Sequence, residues 1–197
     1  MPRTQPAGAA IVTAGVPVLL WPWPGTNTPR APESAPTMPS FIETHRTIVT
    51  PAQCDHLGHM NVQHYVAIVS AGFDTLLGRL GLPPSEIERR RIGMAAVRME
   101  IDYLAEARAG DALVLYSTVE HVGGRSLRIR HRLCRAADGA GAADEQELMR
   151  TLAIGVPMEL DRRQGTDLPP DVRAAAEAMA GTTDPAAVGA ADPAAAG

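Results

Sequence analysis

One stretch of the sequence, residues 54–82, reads "CDHLGHMNVQHYVAIVSAGFDTLLGRLGL". Its second part carries apolar residues at helical spacing on nearly every side, with Tyr65, Ile68, Val69, Gly72, Leu76 and Leu80 on one face and Val66, Phe73 and Leu77 on the other. A helix that is apolar all round is normally buried. Its first part is crowded with polar groups. The stretch therefore predicts a buried central helix that begins at a polar turn.

Segments on both sides of this helix show the period of two that is typical of half-buried strands. In "RSLRIRHRLCR" (125–135) apolar side chains and arginines alternate, and similar segments are "FIETHRTIV" (41–49), "AAVRMEIDYL" (95–104), "ALVLYSTVE" (112–120) and "LMRTLAIGVPMEL" (148–160). Most links between them are too short for parallel crossovers, so an antiparallel sheet is expected. The order predicts an α+β fold in which a five-stranded antiparallel sheet wraps around one long central helix.

The two ends of the chain differ in composition from the middle. Residues 1–40 are rich in Pro and Ala, and residues 181–197 are of low complexity, so both ends are predicted to be disordered and 41–180 to form the single domain. A short helix at 168–180 is expected to pack outside the sheet. Residues 9–21 resemble the apolar part of a secretory signal, but prolines interrupt them. The alternative is that translation begins at Met38.

Composition limits the classes of function. Apolar residues make up 45% of the chain and charged residues 20%, as in ordinary folded domains. With 18 basic and 22 acidic residues there is no bulk charge for binding nucleic acid or an anionic membrane. Cys54 and Cys134 cannot form a disulfide framework, which favours a reducing compartment and a cytoplasmic location. No run of about 20 apolar residues predicts a membrane span, and no motif implies a cofactor.

The turn before the helix is suited to polarising a carbonyl group. If Asn61 is the N-cap, its side chain accepts a hydrogen bond from the first turn and leaves the Val62 amide without an intrahelical partner. The helix dipole adds roughly half a positive charge there. Gly58 allows the backbone to approach a substrate closely, and Asp55 is placed to face the electrophile from the other side. From spacing alone, it remains open whether Asp55 and Asn61 only cap the helix.

A metal site and a cysteine nucleophile are two other chemistries that these residue types could support. A structural zinc site normally has tighter pairs of ligands than the spacing found here, so no metal is predicted among Cys54, His56, His59 and His64. A cysteine nucleophile is disfavoured because Cys54 and Asp55 point to opposite faces of an extended segment. His131 stands alone on an apolar strand face and is predicted to be a hydrogen-bonded core histidine.

The segment "CDHLGHMNVQHY" resembles the signature of the 4-hydroxybenzoyl-CoA thioesterase-like branch of the hotdog superfamily. That pattern is Asp, two residues, Gly-His, a small apolar residue, Asn, three residues and Tyr, filled here by Asp55, Gly58, His59, Met60, Asn61 and Tyr65. The resemblance continues through "GLPP" (81–84), "IDYLAEARAGD" (101–111) and "VEHVGGRSL" (119–127), and covers about 41–160. It implies the hotdog fold, a homodimer or homotetramer with active sites at the interface, and hydrolysis of an acyl-CoA thioester without a cofactor.

The resemblance also implies roles for the residues of the turn. Asp55 resembles the catalytic carboxylate, acting as nucleophile or as general base, and the Val62 amide resembles the donor that polarises the carbonyl. Gly58, His59 and Asn61 would shape the turn, and Tyr65 would contact the substrate. Many members of the family have a second acid where this chain has Gln53, a difference that changes the surroundings of Asp55 but keeps the reactive carboxylate.

The "GGRS" segment at 123–126 matches the place where relatives hold the CoA phosphates, so Arg125 and Ser126 are candidates for that contact. The alternative is an ordinary hairpin with one solvated arginine. Two other functions remain open, a non-catalytic acyl-CoA-binding or sensing module and a hotdog hydratase acting on enoyl thioesters. The intact Asp55 disfavours the first, and the lack of a separate histidine after Asp55 disfavours the second. The sequence does not indicate the acyl group.

Overall fold

The computed structural model describes residues 41–136 and 145–180, so the predicted disordered ends lie outside the described residues. The elements are β1 (Ile42–Ile48), a 3₁₀ turn (Pro51–Gln53), α1 (Val62–Arg79), α2 (Pro84–Arg90), β2 (Ile92–Tyr103), β3 (Ala112–Val122), β4 (Leu127–Arg135), β5 (Gln146–Glu159), β6 (Gln164–Gly165) and α3 (Pro170–Ala180). The strands form one sheet in the order β1-β3-β4-β5-β2, with the two-residue β6 beside β5. Every pairing is antiparallel, which confirms the predicted α+β class and sheet.

Helix α1 packs closely against β1 and β3. A Cβ atom at Gly72 would overlap Leu115 Cδ2 and lie 2.9 Å from Thr44 Oγ1, so only glycine lets the helix approach the sheet at this point. On the same face of β3 the inward side chains are Leu113, Leu115, Ser117 and Val119, all fully buried. The alternating pattern read from the sequence therefore corresponds to the face that α1 covers.

The core falls into two apolar clusters along α1. Tyr65, Ile68 and Val69 of its first half pack with Leu113, Leu115 and Leu133, whereas Leu76, Leu77 and Leu80 of its second half pack with Val119, Leu127 and Ile129. Between the clusters a polar row crosses the sheet. His131 Nδ1 lies 2.7 Å from Ser117 Oγ, which lies 2.6 Å from Thr44 Oγ1. The prediction that His131 is a hydrogen-bonded core histidine is therefore confirmed.

Two expectations about packing are wrong. Helix α1 is not buried on all sides, because the face carrying Val62 (55% exposed) and Val66 (39% exposed) is not covered by the described residues of one chain. Helix α3 does not pack outside the sheet. Its buried residues Val172 and Ala176 join the second cluster beside Leu77, on the face that α1 covers.

Helix α2 and strand β6 were not predicted. With 7 residues, α2 is too short to show an apolar period, although Pro84 at its first position is a common start signal. Of the described helices, none is by itself long and apolar enough to cross a membrane.

Candidate active site

The segment before α1 closes on itself as a tight loop. Cys54 and Met60 pair as an isolated antiparallel bridge, and the Asp55 amide donates a hydrogen bond to the His59 carbonyl over 3.0 Å. The Gly58 amide donates to the Asp55 carbonyl, also over 3.0 Å. Gly58 has a φ of +82°, which a residue with a side chain adopts only with strain. The predicted turning role of Gly58 thus has a backbone reason.

Residues 60–65 anchor this loop to the segment between β2 and β3. The Met60 amide donates to the Ala107 carbonyl over 2.7 Å, and the Ala107 amide donates to Tyr65 Oη over 2.9 Å. Tyr65 is only 4% exposed and meets Tyr103 edge to face, with ring centroids 5.3 Å apart. Burial raises the pKa of the Tyr65 hydroxyl. Tyr65 is a buried residue that fixes the loop, and the expected contact between Tyr65 and substrate stays a prediction.

The Asp55 carboxylate is held at the mouth of the loop. Its Oδ1 accepts a hydrogen bond from the Leu57 amide over 2.9 Å, and its Oδ2 lies 3.4 Å from Asn61 Nδ2. His59 Nδ1 lies 3.9 Å from Asp55 Oδ1, and these two side chains are 27% and 18% exposed. Asp55 therefore caps its own loop and makes no hydrogen bond to an amide of α1, while part of its carboxylate still meets solvent.

Asn61 is the N-cap of α1, as its position predicted. Its Oδ1 accepts from the Gln63 amide over 3.1 Å, and its backbone carbonyl accepts from the His64 amide over 3.0 Å. Among the described residues, the Val62 amide has no hydrogen-bond acceptor. Because Val62 is also exposed, the positive end of the helix dipole faces solvent beside Asp55.

Gln53 has a structural role in the turn before α1. Its Oε1 accepts hydrogen bonds from the Thr50 amide over 2.7 Å and from Thr50 Oγ1 over 3.0 Å. Its backbone carbonyl accepts from the Asn61 amide over 2.9 Å. Gln53 therefore fixes the 3₁₀ turn and the start of α1.

The "GGRS" segment forms the expected hairpin turn between β3 and β4. The Gly123 amide donates to the Ser126 carbonyl over 2.8 Å. Arg125 is exposed, and its guanidinium donates to the Gly165 carbonyl and lies 3.3 Å from Asp167 Oδ1. Sequence reasoning missed Arg173 of α3, which contacts the same turn and gives no motif by which it could have been found.

One chain does not bring Asp55 and Arg125 together. The Asp55 loop follows Val49, whose amide and carbonyl pair with Asp111 and Gly110 at the start of β3. The "GGRS" turn follows the other end of β3, which is 11 residues long. A strand of that length spans about 35 Å at the usual rise per residue.

The polar side chains of the loop do not form a metal cluster. Within 41–136 and 145–180, no three side chains of His, Cys, Asp or Glu are grouped closely enough to hold a metal ion. The described cysteines Cys54 and Cys134 are both free thiols, and burial raises the pKa of Cys134 to about 11. The loop therefore offers a carboxylate and a free helix amide as its reactive groups.

Comparison with known proteins agrees with this geometry. The thioesterase-like superfamily matches residues 49–176 of the chain. No curated protein sequence gives a match. A 4-hydroxybenzoyl-CoA thioesterase from Pseudomonas sp. strain CBS-3 is 23% identical and superposes with a TM-score of 0.61 over 68% of this chain and 98% of its own.

Two further solved structures share the fold. A protein from Staphylococcus aureus, solved in complex with CoA, is 17% identical with a TM-score of 0.64 over 81% of this chain and 98% of its own. A 1,4-dihydroxy-2-naphthoyl-CoA thioesterase from Synechocystis is 20% identical with a TM-score of 0.56, covering 66% of this chain and 92% of its own. The match of the superfamily to well over half of the sequence and the shared architecture agree, and the chain belongs to the thioesterase-like superfamily of hotdog-fold thioester hydrolases.

Proposed function

We propose that the protein hydrolyses an acyl-CoA thioester to a carboxylic acid and free CoA. The observation that carries this proposal is the position of the Asp55 carboxylate beside the open N-terminus of α1. One side chain, that of Asn61, contacts both, because it lies 3.4 Å from Asp55 Oδ2 and caps the Gln63 amide over 3.1 Å. A negative group and the positive end of the α1 dipole are thus held next to one another by a single side chain.

In the proposed reaction the thioester oxygen accepts a hydrogen bond from the Val62 amide. The helix dipole stabilises the negative charge that develops on this oxygen in the transition state. Asp55 removes a proton from water, the resulting hydroxide adds to the carbonyl carbon, and the C–S bond breaks to release the CoA thiolate, which takes up a proton. Alternatively, Asp55 attacks the carbonyl carbon itself, the C–S bond breaks to release the CoA thiolate, which takes up a proton, and water hydrolyses the mixed anhydride that remains. Both routes use the same two groups.

The rest of the loop supports these two groups. The Leu57 amide and Asn61 fix the carboxylate, and His59 lies 3.9 Å from it. A Cβ atom at Gly58 would meet no atom within 4 Å, so there is open space beside the loop backbone. We assign shaping and positioning roles to Gly58, His59 and Asn61, while Tyr65 holds the loop from inside the core.

We place the phosphates of CoA at Arg125 and Ser126, which requires a second copy of the chain. Asp55 and Arg125 lie at opposite ends of β3, so one extended CoA ester reaches both only if the partner supplies one of them. Two uncovered surfaces favour such a partner. The first is strand β2, which lies at one end of the strand order and is an edge of the sheet. The second is apolar: exposed apolar side chains lie on the loop and the start of α1 and along β2 or directly after it, namely Leu57, Val62, Val66, Val97, Tyr103 and Leu104. Exposed edges and apolar patches of this kind favour association.

The proposed assembly is a homodimer or a homotetramer, in the cytoplasm, where free thiols such as Cys54 and Cys134 persist. Sedimentation or light scattering of the active protein tests the assembly. Turnover that resides in a dimer or a larger oligomer supports the shared site. An active monomer at working concentration contradicts it.

A panel of acyl-CoA esters with detection of the free thiol tests the activity itself. The panel includes short, long and aromatic acyl groups, so that the rates identify which class of acyl-CoA the protein hydrolyses. The Asp55→Asn protein, purified in the same way, controls for contaminating esterases. Saturable turnover of one class supports the proposal. Binding of acyl-CoA without any turnover would favour a sensing module, and hydration of an enoyl thioester without hydrolysis would favour a hydratase.

A further inference from the structure

The turn between β3 and β4 is held from behind by a side chain of α3. Arg173 Nη2 donates hydrogen bonds to the Gly124 carbonyl over 2.6 Å and to the Gly123 carbonyl over 3.2 Å. Helix α3 is itself fixed, because Val172 and Ala176 are fully buried in the second core cluster. The Arg173 guanidinium is therefore delivered from a packed helix rather than from a loop, which makes its position well defined.

The direction of these two carbonyl groups also fixes the direction of the amides that follow them in the turn. In a planar trans peptide the C=O and N–H groups point in opposite directions. With the Gly123 and Gly124 carbonyls directed at Arg173, the amides of Gly124 and Arg125 point away from it. In the part of the chain that the structure describes, neither amide donates a hydrogen bond, and both residues are exposed. The turn thus presents two neighbouring N–H donors to solvent.

The backbone of this turn is open at Gly124. A Cβ atom at Gly124 would find nothing within 4 Å, so a ligand can approach the backbone there. At Gly123, by contrast, a Cβ atom would lie 2.6 Å from Ser126 Oγ, so a larger residue there would displace the Ser126 hydroxyl. The Arg125 side chain follows the two amides, is 56% exposed and pairs with Asp167, so a phosphate bound there would replace that carboxylate as its partner. Backbone amides and a guanidinium are the donors that phosphate oxygens accept in protein sites.

We infer that Arg173 is a positioning residue for CoA, one that orients the Gly124 and Arg125 amides towards the CoA phosphates without touching them. This role rests on the proposed acyl-CoA hydrolysis and deepens it by naming the donors that bind the nucleotide end. Arg173 also lies 3.6 Å from Glu177 one turn further along α3. If Arg173 only stabilised α3, its loss would lower the stability of the protein and leave CoA affinity unchanged. If it positions the turn, its loss weakens binding of the CoA phosphates and leaves binding of the rest of CoA unchanged.

Calorimetric binding of free CoA and of pantetheine, which lacks the nucleotide, separates the two roles. Arg173→Met keeps the aliphatic stem and removes the donors. We expect it to weaken CoA binding about tenfold, the scale of lost hydrogen bonds to a charged group, with little change for pantetheine. Arg173→Lys keeps the charge and one donor atom, so a smaller loss is expected. Arg89→Met is the matched control, because Arg89 is an exposed arginine on α2 that pairs with Glu86.

Thermal melts show whether each variant is folded. If Arg173→Met does not fold, the ratio of CoA affinity to pantetheine affinity is measured for Arg173→Lys instead. Equal weakening of both ligands, or unchanged CoA binding, would overturn the inference. A parent protein that hydrolyses acyl-CoA but binds CoA and pantetheine equally would overturn it too, while leaving the proposed function intact. A parent without thioesterase turnover overturns the proposed function, and the affinity ratio still decides the role of Arg173.

Discussion

Asn61 contacts Asp55 and caps helix α1 with the same side chain. Its Nδ2 lies 3.4 Å from Asp55 Oδ2, and its Oδ1 accepts from the Gln63 amide over 3.1 Å. The helix start and the carboxylate are therefore placed relative to one another by one amide group. This coupling supports the proposed reaction, in which the short polar loop closed by Gly58 presents an acid and a free helix amide to one substrate carbonyl.

Two substitutions at Asn61 separate its two contacts. Asn61→Ala removes both, so the free energy of unfolding should fall by about 1 kcal/mol, the usual cost of losing a cap, and kcat should fall as well. Asn61→Asp keeps an equally good cap but replaces the donor to Asp55 with a second negative charge. We expect it to lose turnover at near-parent stability. Denaturant unfolding and initial rates give both quantities, and parent-like kcat in both variants would remove Asn61 from the site.

Arg125→Ala tests the nucleotide contact. Because Arg125 is proposed to bind a phosphate remote from the reacting carbon, the substitution should raise KM for acyl-CoA about tenfold and leave kcat nearly unchanged. An N-acetylcysteamine thioester of the same acyl group, which has no phosphate, should be affected much less. Arg91→Ala is the matched control, since Arg91 is also an exposed arginine paired with an aspartate, Asp161. Equal effects on the two substrates would show that Arg125 lies outside the CoA site.

Much of the fold follows from hydrophobic period alone. The strands alternate because one face of the sheet packs on α1, so segments such as 125–135 are legible from the sequence. The side on which α3 packs was not legible, because Val172, Ala176 and Ala180 fit any apolar surface. The exposed face of α1 was also missed. The spacing of apolar residues shows which side chains avoid water, but it does not show whether the same chain or a second chain covers them.

The site was predictable where local backbone rules apply. The Asn61 cap follows from its position before an apolar helical run, and the Gly58 turn from the need for a positive φ. The burial of Tyr65 follows from its place on the apolar face of α1, but its hydrogen bond from the Ala107 amide, 42 residues along the chain, was not predictable. Arg173 was missed for the same reason, since its acceptors lie in a turn 49 and 50 residues away. Contacts between distant segments leave no local pattern.

The buried His131 predicts how stability depends on pH. Burial lowers its pKa to about 4, whereas the imidazole of an unfolded chain titrates near its ordinary value of 6.5. Between these values the unfolded chain binds the additional proton, so stability is fully present above about pH 6.5 and declines as the pH falls towards about 4. The total effect is about 3 kcal/mol.

Unfolding free energies measured across this pH window test the assignment. His131→Gln removes the titrating group and keeps a polar side chain that can bond to Ser117. The variant should be less stable than the parent near neutral pH, but its stability should fall less on acidification. The other ionisable groups are common to both proteins, so the difference in slope reports His131. Identical slopes would show that His131 does not control the acid sensitivity.

Asp55 is proposed as the group that activates water or attacks the thioester, and kcat of the Asp55→Asn variant decides whether it is. Asparagine keeps the size of the side chain and the oxygen that accepts from the Leu57 amide, but it neither takes a proton from water nor attacks a thioester. We predict a fall in kcat of about 100-fold or more with the best acyl-CoA substrate, at unchanged melting temperature and acyl-CoA affinity. Near-parent turnover by the folded variant would contradict the assignment of Asp55 as the catalytic carboxylate.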